Sequence, residues 1–263
     1  MTLNIVWRDP RSRVHFFSDS RVNLGASSSD FGIKINRMPY NIYGPAIDGE
    51  EPSLIRCGDI AITFAGYSII PLMMKEALAE ILFKVQAVPG WSDYDMDALS
   101  KFIFHAFDTI ARDADFKTNG KINVGIIFGG WCEKACKHRI YKMELTETTI
   151  PSLTEVLLQP GEIEVMGSGK AEAERILEGQ PLTPRTIVGA LKSVIDDPEV
   201  PSVGGNIQYG DLDANRFRPH GVIEINGNYV HYWRGLIDLN SEEFTNSTSL
   251  IPNIPHIDLA KIL

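Results

Sequence analysis

Residues 2–19 read TLNIVWRDPRSRVHFFSD, and this stretch starts the fold. Apolar and polar side chains alternate in its first half, and an extended apolar run returns after Asp9-Pro10-Arg11-Ser12. Aspartate, proline and serine close together are typical of a turn. The pattern therefore predicts a β-hairpin at the start of the chain, which brings Asp19 back beside Thr2.

The elements that follow are grouped by type along the chain. Two short strands are predicted at 31–35 and 60–64, and the residues between them at 37–58, rich in proline and glycine, predict a long surface loop. Apolar stripes with helical spacing then predict two amphipathic helices, at 69–85 and 92–116. Ser92 and Asp93 are the predicted cap of the second helix.

The second half of the chain repeats this order of strands, helices and strands. Strands are predicted at 122–128 and 139–145 around a turn of roughly ten residues, and at 163–166. Two helices follow, one through 173–177 and one that starts at Thr183-Pro184. The last predicted unit is a hairpin of 222–225 and 229–232 around Asn226-Gly227.

This grouping of elements favours an α+β fold over a doubly wound parallel sheet. Because each helix pair can cover one sheet, the predicted architecture is a four-layer αββα sandwich with two stacked antiparallel sheets. The chain is predicted to form a single domain over 1–263, with the inserted loop at 37–58 and a C-terminal extension after about residue 236.

Composition and charge exclude several function classes. There are 25 Lys and Arg against 34 Asp and Glu, a net charge of −9, and no basic patch that would attract nucleic acid. Three cysteines cannot all pair with one another and no export signal is visible, so a reducing, cytoplasmic location is expected. The most apolar stretch, 64–83, contains charged residues and Pro71, so no membrane helix is expected.

Thr2 is the first candidate for chemistry. Initiator methionine is normally removed before a small residue, and the chain would then begin with a free α-amine beside the threonine hydroxyl. Such an amine, with an ordinary pKa of about 7.7 to 8.0, can take the proton from Oγ, so that one residue is nucleophile and base. The alternative is that Thr2 has no such role, and a retained Met1 would block the mechanism.

Lys34, Asp19 and Gly66 could support this chemistry. An ammonium group at Lys34 would lower the pKa of the terminal amine by repulsion, and Asp19 would hold the lysine in place. The alternative is a structural salt bridge. Gly66, between a strand and a helix, could donate its N–H to an oxyanion, although a tight turn alone would also select glycine.

Several short motifs occur together in one order. They are Thr2 opening a strand, Ser18-Asp19-Ser20-Arg21, FGIKI at 31–35, Phe64-Ala65-Gly66 and Met166-Gly167-Ser168-Gly169. In this order and spacing, over residues 2–235, the sequence resembles the proteasome β-subunit family and its bacterial relatives. The resemblance implies an αββα sandwich, assembly into stacked rings, and cleavage of peptide bonds by an N-terminal threonine.

The resemblance also implies a role for each matching residue. It makes Thr2 the nucleophile and base, Asp19 and Lys34 the charged pair beneath it, Arg21 a supporting charge, Gly66 the oxyanion donor and Ser168 a hydrogen-bonding partner of the terminal amine. The chain departs from the family pattern at the long loop 37–58. It also departs at Val203-Gly204-Gly205, where the family has an acidic residue before a Ser-Gly-Gly step and this chain has only Asp197 and Glu199 nearby.

Two other motifs are set aside. Residues 167–170 read GSGK but lack the first glycine and the final Ser or Thr of a phosphate-binding loop. Cys132, Cys136 and His138 supply only three candidate ligands, which is fewer than a closed zinc site requires. No metal and no cofactor are expected.

The sequence thus predicts a threonine-type hydrolase, in the leading interpretation a peptidase acting on peptides or proteins inside a homo-oligomeric ring. The helix faces at 69–85 and 92–116 would serve subunit contacts as well as the core. One alternative is a catalytically silent assembly or scaffold protein that keeps the sandwich and its interfaces. A third interpretation is a non-peptide amidohydrolase with the same terminal chemistry.

Overall fold

The chain divides into two compact units of interleaved segments. Unit 1 consists of Met1–Asn36, Pro160–Asp211 and Arg218–Leu263, and unit 2 of Arg37–Gln159 and Leu212–Phe217. The computed structural model describes residues 2–24, 27–45, 51–90, 94–226, 229–234, 237–242 and 254–262. The single-domain boundary stays a prediction.

Strands and helices alternate in groups, as expected. The strands of the described residues are β1 (Leu3–Arg8), β2 (Val14–Ser18), β3 (Val22–Leu24), β4 (Ser27–Ser29), β5 (Asn36–Tyr43), β6 (Leu54–Gly66), β7 (Val85–Gln86), β8 (Val124–Cys132), β9 (Lys137–Leu145), β10 (Ser152–Val156), β11 (Ile163–Gly167), β12 (Gln208–Asp213), β13 (Arg216–Asn226), β14 (Tyr229–Arg234), β15 (Ile237–Asp238) and β16 (His256–Asp258). The helices are α1 (Ile69–Ile81), α2 (Met96–Thr118), α3 (Lys170–Leu177), α4 (Pro184–Ile195) and α5 (Leu259–Ile262), and a 3-10 turn covers Leu82–Lys84.

The predicted N-terminal hairpin is present in unit 1. β1 and β2 pair antiparallel from Asn4↔Ser18 to Arg8↔Val14. Asp9 fixes the turn between them, because its Oδ1 accepts the backbone N–H groups of Arg11 and Arg13, each at 2.8 Å. The hairpin therefore returns the chain to the level of Thr2.

Unit 1 is built on a sheet with the order β11-β1-β2-β12-β13-β14-β15, to which β16 adds by pairing with β13. Helices α3 and α4 bury their apolar stripes against β1 and neighbouring strands, in a core that includes Leu3, Ile5 and Leu191. Thr183 caps α4 by accepting the Thr186 N–H, and Pro184 occupies the first turn, as predicted.

Unit 2 contains the second sheet and the second helix pair. The strand order is β10-β9-β8-β6-β5-β7, and α1 and α2 pack on it through a separate apolar core that includes Ile70, Phe107 and Phe128. Helix α2 begins after Asp95, whose side chain accepts the N–H groups of Asp97 and Ala98. The predicted cap at 92–93 lies outside the described residues.

The prediction of a surface loop over 37–58 is wrong for most of that segment. β5 covers its start and alternates in burial, with Met38, Tyr40 and Ile42 buried. β6 begins at Leu54, within the same segment. Pro39 lies outside the part of β5 that pairs with the edge strand β7, which contacts β5 only at Ile42 and Tyr43. A strand accepts proline more readily where one side is unpaired.

Three further differences concern strand ends. β8 and β9 extend to Cys132 and from Lys137, which leaves four residues between them instead of the predicted longer turn. Residues 31–35 form no strand. The backbone N–H groups of Lys34 and Ile35 are bound by a side chain of the candidate site instead. The strands of the last predicted hairpin pair from Val222↔Trp233 to Asn226↔Tyr229, but the turn residue Gly227 lies outside the described residues.

The predicted α+β class with antiparallel sheets is confirmed. Each unit supplies one large sheet and one pair of longer helices, which are the elements that an αββα sandwich requires, and unit 1 also holds the two-stranded sheet β3-β4 and the short α5. Among the described residues, no helix is both long enough and apolar enough to cross a membrane.

Candidate active site

Thr2 lies immediately before β1 in unit 1 and is 4% exposed. The N–H of the next residue, Leu3, donates to Asp19 Oδ1 at 2.9 Å, and the Asp19 N–H donates back to Leu3 O at 3.3 Å. Asp19 is therefore beside the start of the chain, where the hairpin was predicted to place it.

Lys34 and Asp19 form the expected ion pair. The lysine Nζ is 2.7 Å from Asp19 Oδ1, and both side chains are fully buried. The same oxygen accepts the Leu3 N–H, so the ammonium group lies close to the peptide bond that joins Thr2 to Leu3. Asp19 Oδ2 accepts the N–H groups of Gly204 at 3.0 Å and Arg21 at 3.2 Å. The carboxylate is thus satisfied on both oxygens and cannot easily move.

Burial changes the acidity of this lysine. Desolvation disfavours the charged form and lowers the pKa of Lys34 from 10.5 to about 8, although the carboxylate of Asp19 acts in the opposite direction. A lysine with such a pKa is close to its titration point near neutral pH. This is the kind of perturbation that active sites concentrate.

The backbone around Lys34 corrects the prediction of a strand at 31–35. The N–H groups of Lys34 and Ile35 both donate to Gln208 Oε1, at 3.0 and 3.3 Å, and the Gly32 N–H donates to Ser20 O at 2.8 Å. Because these bonds occupy the amides that a neighbouring strand would use, the segment stays irregular. No motif marks Gln208, so sequence reasoning missed it.

Arg21 supports the site through the loop that follows α4. Its guanidinium binds both carboxylate oxygens of Asp30, at 2.6 and 2.9 Å, and donates to Pro201 O at 3.0 Å. Arg21 lowers the pKa of Asp30 through this contact. A Cβ at Gly204 would come within 2.3 Å of the guanidinium carbon, so a larger residue there would displace the Arg21 side chain. Arg21 thereby fixes the loop whose N–H binds Asp19.

Ser168 follows the end of β11. Leu3 pairs with Gly167 at the end of this ladder, so Thr2 directly precedes one member of that pair and Ser168 directly follows the other. Ser168 Oγ is 2.7 Å from Ser202 Oγ, a partner that the sequence analysis did not single out. Of the acidic residues considered there, Asp197 accepts the N–H of Glu199 at 2.9 Å and so stabilises the turn after α4. The contact of Ser168 with the terminal amine stays a prediction.

Gly66 belongs to unit 2, where β6 ends before α1. It has a φ of +91°, and a Cβ at this position would lie 2.1 Å from Asn123 O. The turn therefore requires glycine for backbone reasons alone. Its role as an oxyanion donor stays a prediction.

The cysteines and histidine of the β8–β9 turn are separated in the structure. Cys132 is buried and Cys136 is exposed, while His138 Nε2 contacts Ala214 O at 2.8 Å. Within the described residues, no group of three or more His, Cys, Asp or Glu side chains is placed to hold a metal ion.

Comparison with known proteins shows similarity in fold and little in sequence. No family model and no curated protein matches the chain. Among solved structures, the Gly-1 mutant of Anbu from Hyphomicrobium sp. strain MC1 matches with a TM-score of 0.54 and 16% identity, over 94% of this chain and 91% of that one. Anbu, an ancestral beta-subunit, from Yersinia bercovieri matches with a TM-score of 0.54 and 14% identity, over 82% and 86%. A helical assembly of the Anbu complex from Pseudomonas aeruginosa gives 0.54 and 14%, over 93% and 90%.

These matches define the class of the fold and correct the resemblance drawn from sequence. The fold is proteasome-like, and the three structures named above are Anbu proteins, which are distinct from the proteasome β-subunits that the motifs suggested. The short motifs describe the charged pair and its turns, which are too local to distinguish one proteasome-like group from another. The fold of this chain is therefore similar to that of the Anbu structures.

Proposed function

We propose that the chain is an N-terminal threonine hydrolase, with peptides as the leading substrate class, that acts after removal of Met1. The observation that carries the proposal is the fully buried Asp19–Lys34 pair, whose carboxylate oxygen also binds the amide N–H next to Thr2. A buried ion pair gives little net stability by itself, because desolvation offsets the attraction between its charges. A catalytic role at Thr2 gives a reason for burying the Asp19–Lys34 pair at this position.

In the proposed reaction the α-amine of Thr2 takes the proton from its own Oγ as that oxygen attacks the substrate carbonyl carbon. The carbonyl oxygen becomes an oxyanion, and Gly66 is the proposed donor to it. The amine then gives the proton to the leaving nitrogen, which breaks the amide bond and leaves an ester on Oγ. Water, deprotonated by the same amine, hydrolyses this ester and restores the threonine.

Lys34 has a defined part in this scheme. Its ammonium group lowers the pKa of the nearby terminal amine by like-charge repulsion, so that the amine is neutral and basic at physiological pH. Asp19 keeps the ammonium at that position, Arg21 holds the loop that binds Asp19, and Ser168 is the proposed hydrogen-bonding partner of the amine.

We also propose that the active form is a homo-oligomer. Helix α1 leaves an apolar face uncovered in the single chain, with Ile69, Leu72 and Met73 each 44–53% exposed. Exposed apolar faces of this kind are typical of protein interfaces. The Anbu complex from Pseudomonas aeruginosa forms a helical assembly. A contact repeated between copies of this chain would bury the exposed apolar face of α1.

The test compares the untagged, natively expressed protein with Thr2→Ala. Intact mass is expected to show loss of Met1, and the protein is expected to hydrolyse at least one of a set of N-terminally blocked peptide aminocoumarin amides with acidic, basic or apolar side chains. Thr2→Ala should retain the fold and the oligomer but no hydrolysis. Equal hydrolysis by both proteins would contradict the role of Thr2.

A catalytically silent assembly protein is the second candidate, and one observation favours it. Asp19 binds Leu3, Arg21, Lys34 and Gly204, so the charged pair also ties four separate segments together and could persist for structure alone. Complete retention of Met1 together with normal assembly would support this candidate over the hydrolase.

A further inference from the structure

Gln208 occupies an unusual position beneath the candidate site. It is the first residue of β12 and is 2% exposed. Its side-chain amide makes three bonds to one short segment: Oε1 accepts the N–H groups of Lys34 and Ile35, and Nε2 donates to Gly32 O. These are contacts of a side chain with backbone across more than 170 residues of sequence.

The three bonds replace a missing strand. Residues 31–34 have no regular secondary structure, although Lys34 and Ile35 are buried. Buried backbone N–H groups without partners are costly, so the segment needs hydrogen-bonding partners from elsewhere. A primary amide is well suited to this task, because it offers an acceptor and a donor side by side.

The contact between Gln208 and the Lys34 backbone affects the position of the lysine ammonium group. A lysine side chain has four rotatable bonds, and the position of its ammonium group depends on the position of the backbone that carries it. Gln208 accepts the backbone N–H of Lys34 directly, so it helps to fix the position of the Lys34 backbone. The ammonium then reaches Asp19 Oδ1 at 2.7 Å.

We propose that Gln208 is a positioning residue that holds the 32–35 backbone so that the Lys34 ammonium group lies against Asp19 and Thr2. The proposal rests on the function proposed above for its effect on catalysis. Its structural part, the burial of Lys34, can be measured independently of any activity.

The experiment compares two substitutions with opposite chemistry on the protein from which Met1 has been removed. Gln208→Met keeps the length and the apolar part of the side chain but removes every hydrogen bond. Gln208→Glu keeps an oxygen acceptor for the two N–H groups but replaces the donor to Gly32 O with a second oxygen. Val188→Ala creates a cavity on the buried face of α4 and serves as a control for the effect of lost stability alone.

Two readouts are taken at several pH values. Isotope-labelled acetic anhydride, followed by peptide mapping, reports the accessibility of Lys34 and the titration of the Thr2 amine. A peptide β-lactone, which opens on a nucleophilic hydroxyl, reports acylation of Thr2.

In Gln208→Met we expect Lys34 labelling to rise at least about tenfold, the amine to titrate nearer its ordinary range, and acylation to fall at least about tenfold. Gln208→Glu should lie between wild type and Gln208→Met, because it keeps two of the three bonds. Val188→Ala should match wild type in Lys34 labelling, amine titration and acylation.

The outcomes separate the two proposals. A folded Gln208→Met protein that keeps Lys34 protected would overturn the positioning role, as would changes in Gln208→Met that Val188→Ala reproduces, since these would indicate loss of stability alone. If wild type never reacts at Thr2 but Lys34 becomes labelled in Gln208→Met, the proposed hydrolase fails and the positioning role stands. If Gln208→Met does not fold, Gln208→Asn, which withdraws the amide by one methylene, is measured by the same readouts.

Discussion

Replacing Lys34 with methionine changes the stability of the protein in a way that depends on pH. Methionine matches the length of the lysine stem and fills the buried space, so the main loss is the ammonium group. Asp19 then keeps three backbone N–H donors but no cation. Removing one partner of a buried ion pair typically costs about 3–5 kcal/mol, and we expect about 3 kcal/mol at pH 7 because these donors remain.

The pH dependence follows from the depressed pKa of Lys34. Its value of about 8 in the folded protein lies below the ordinary 10.5, because burial disfavours the charged form. Between these two values the unfolded chain binds a proton that the folded protein has released. Raising the pH across this window therefore stabilises the folded wild type relative to Lys34→Met. At about 1.4 kcal/mol per pH unit the gain approaches about 3 kcal/mol.

Urea unfolding of both proteins at half-unit steps from pH 7 to 10.5 measures this difference. Taking the difference between the two proteins removes the contribution of groups whose pKa does not depend on Lys34. Lys170→Met, at an exposed position of α3, is the control, and its difference from wild type should stay nearly constant. A Lys34→Met difference that stays constant, or that shrinks as the pH rises, would refute the reasoning about burial.

Three further predictions use other parts of the site and the fold. Asp19→Asn leaves the Lys34 ammonium buried without a counter-charge, so urea unfolding should show a loss of about 3–5 kcal/mol at pH 7 and a smaller loss above the lysine pKa; an equal loss at both pH values would contradict this. Gly66→Ala places a Cβ against Asn123 O at a positive φ and should cost at least about 3 kcal/mol, whereas Gly120→Ala, with a φ of +72° and open space around it, should cost about 1 kcal/mol; similar losses would show that the contact does not matter. Light scattering at micromolar concentration should give several times the chain mass, and a single species near 29.3 kDa would contradict assembly.

The parts of the fold that could be predicted from sequence are those that local chemistry determines. Asp9 closes the first hairpin through bonds to the next few residues, and Thr183 caps α4 within one turn. Both interactions span at most five residues, so the sequence displays all the partners at once. The Asp19–Lys34 pair was also predictable, because the hairpin and the next segment bring the two residues together.

The parts that could not be predicted depend on contacts between distant residues. Residues 31–35 alternate like a strand, but Gln208 takes their N–H groups and no strand forms. Pro39 and its neighbours indicate a loop, but Pro39 lies in a part of β5 that the short strand β7 leaves unpaired. Ser202 pairs with Ser168 from a loop that has no acidic residue at the expected position. In each case the deciding partner lies far away in sequence, where periodicity and spacing carry no information.

The central claim is that Thr2, freed of Met1, is the nucleophile. The most direct measurement is the intact mass of the native, untagged protein before and after incubation with a peptide β-lactone, followed by peptide mapping. The account predicts a protein that begins at Thr2 and gains one probe mass on that residue, and no gain in Thr2→Ala. A protein that retains Met1, or a probe adduct that persists in Thr2→Ala, would contradict it.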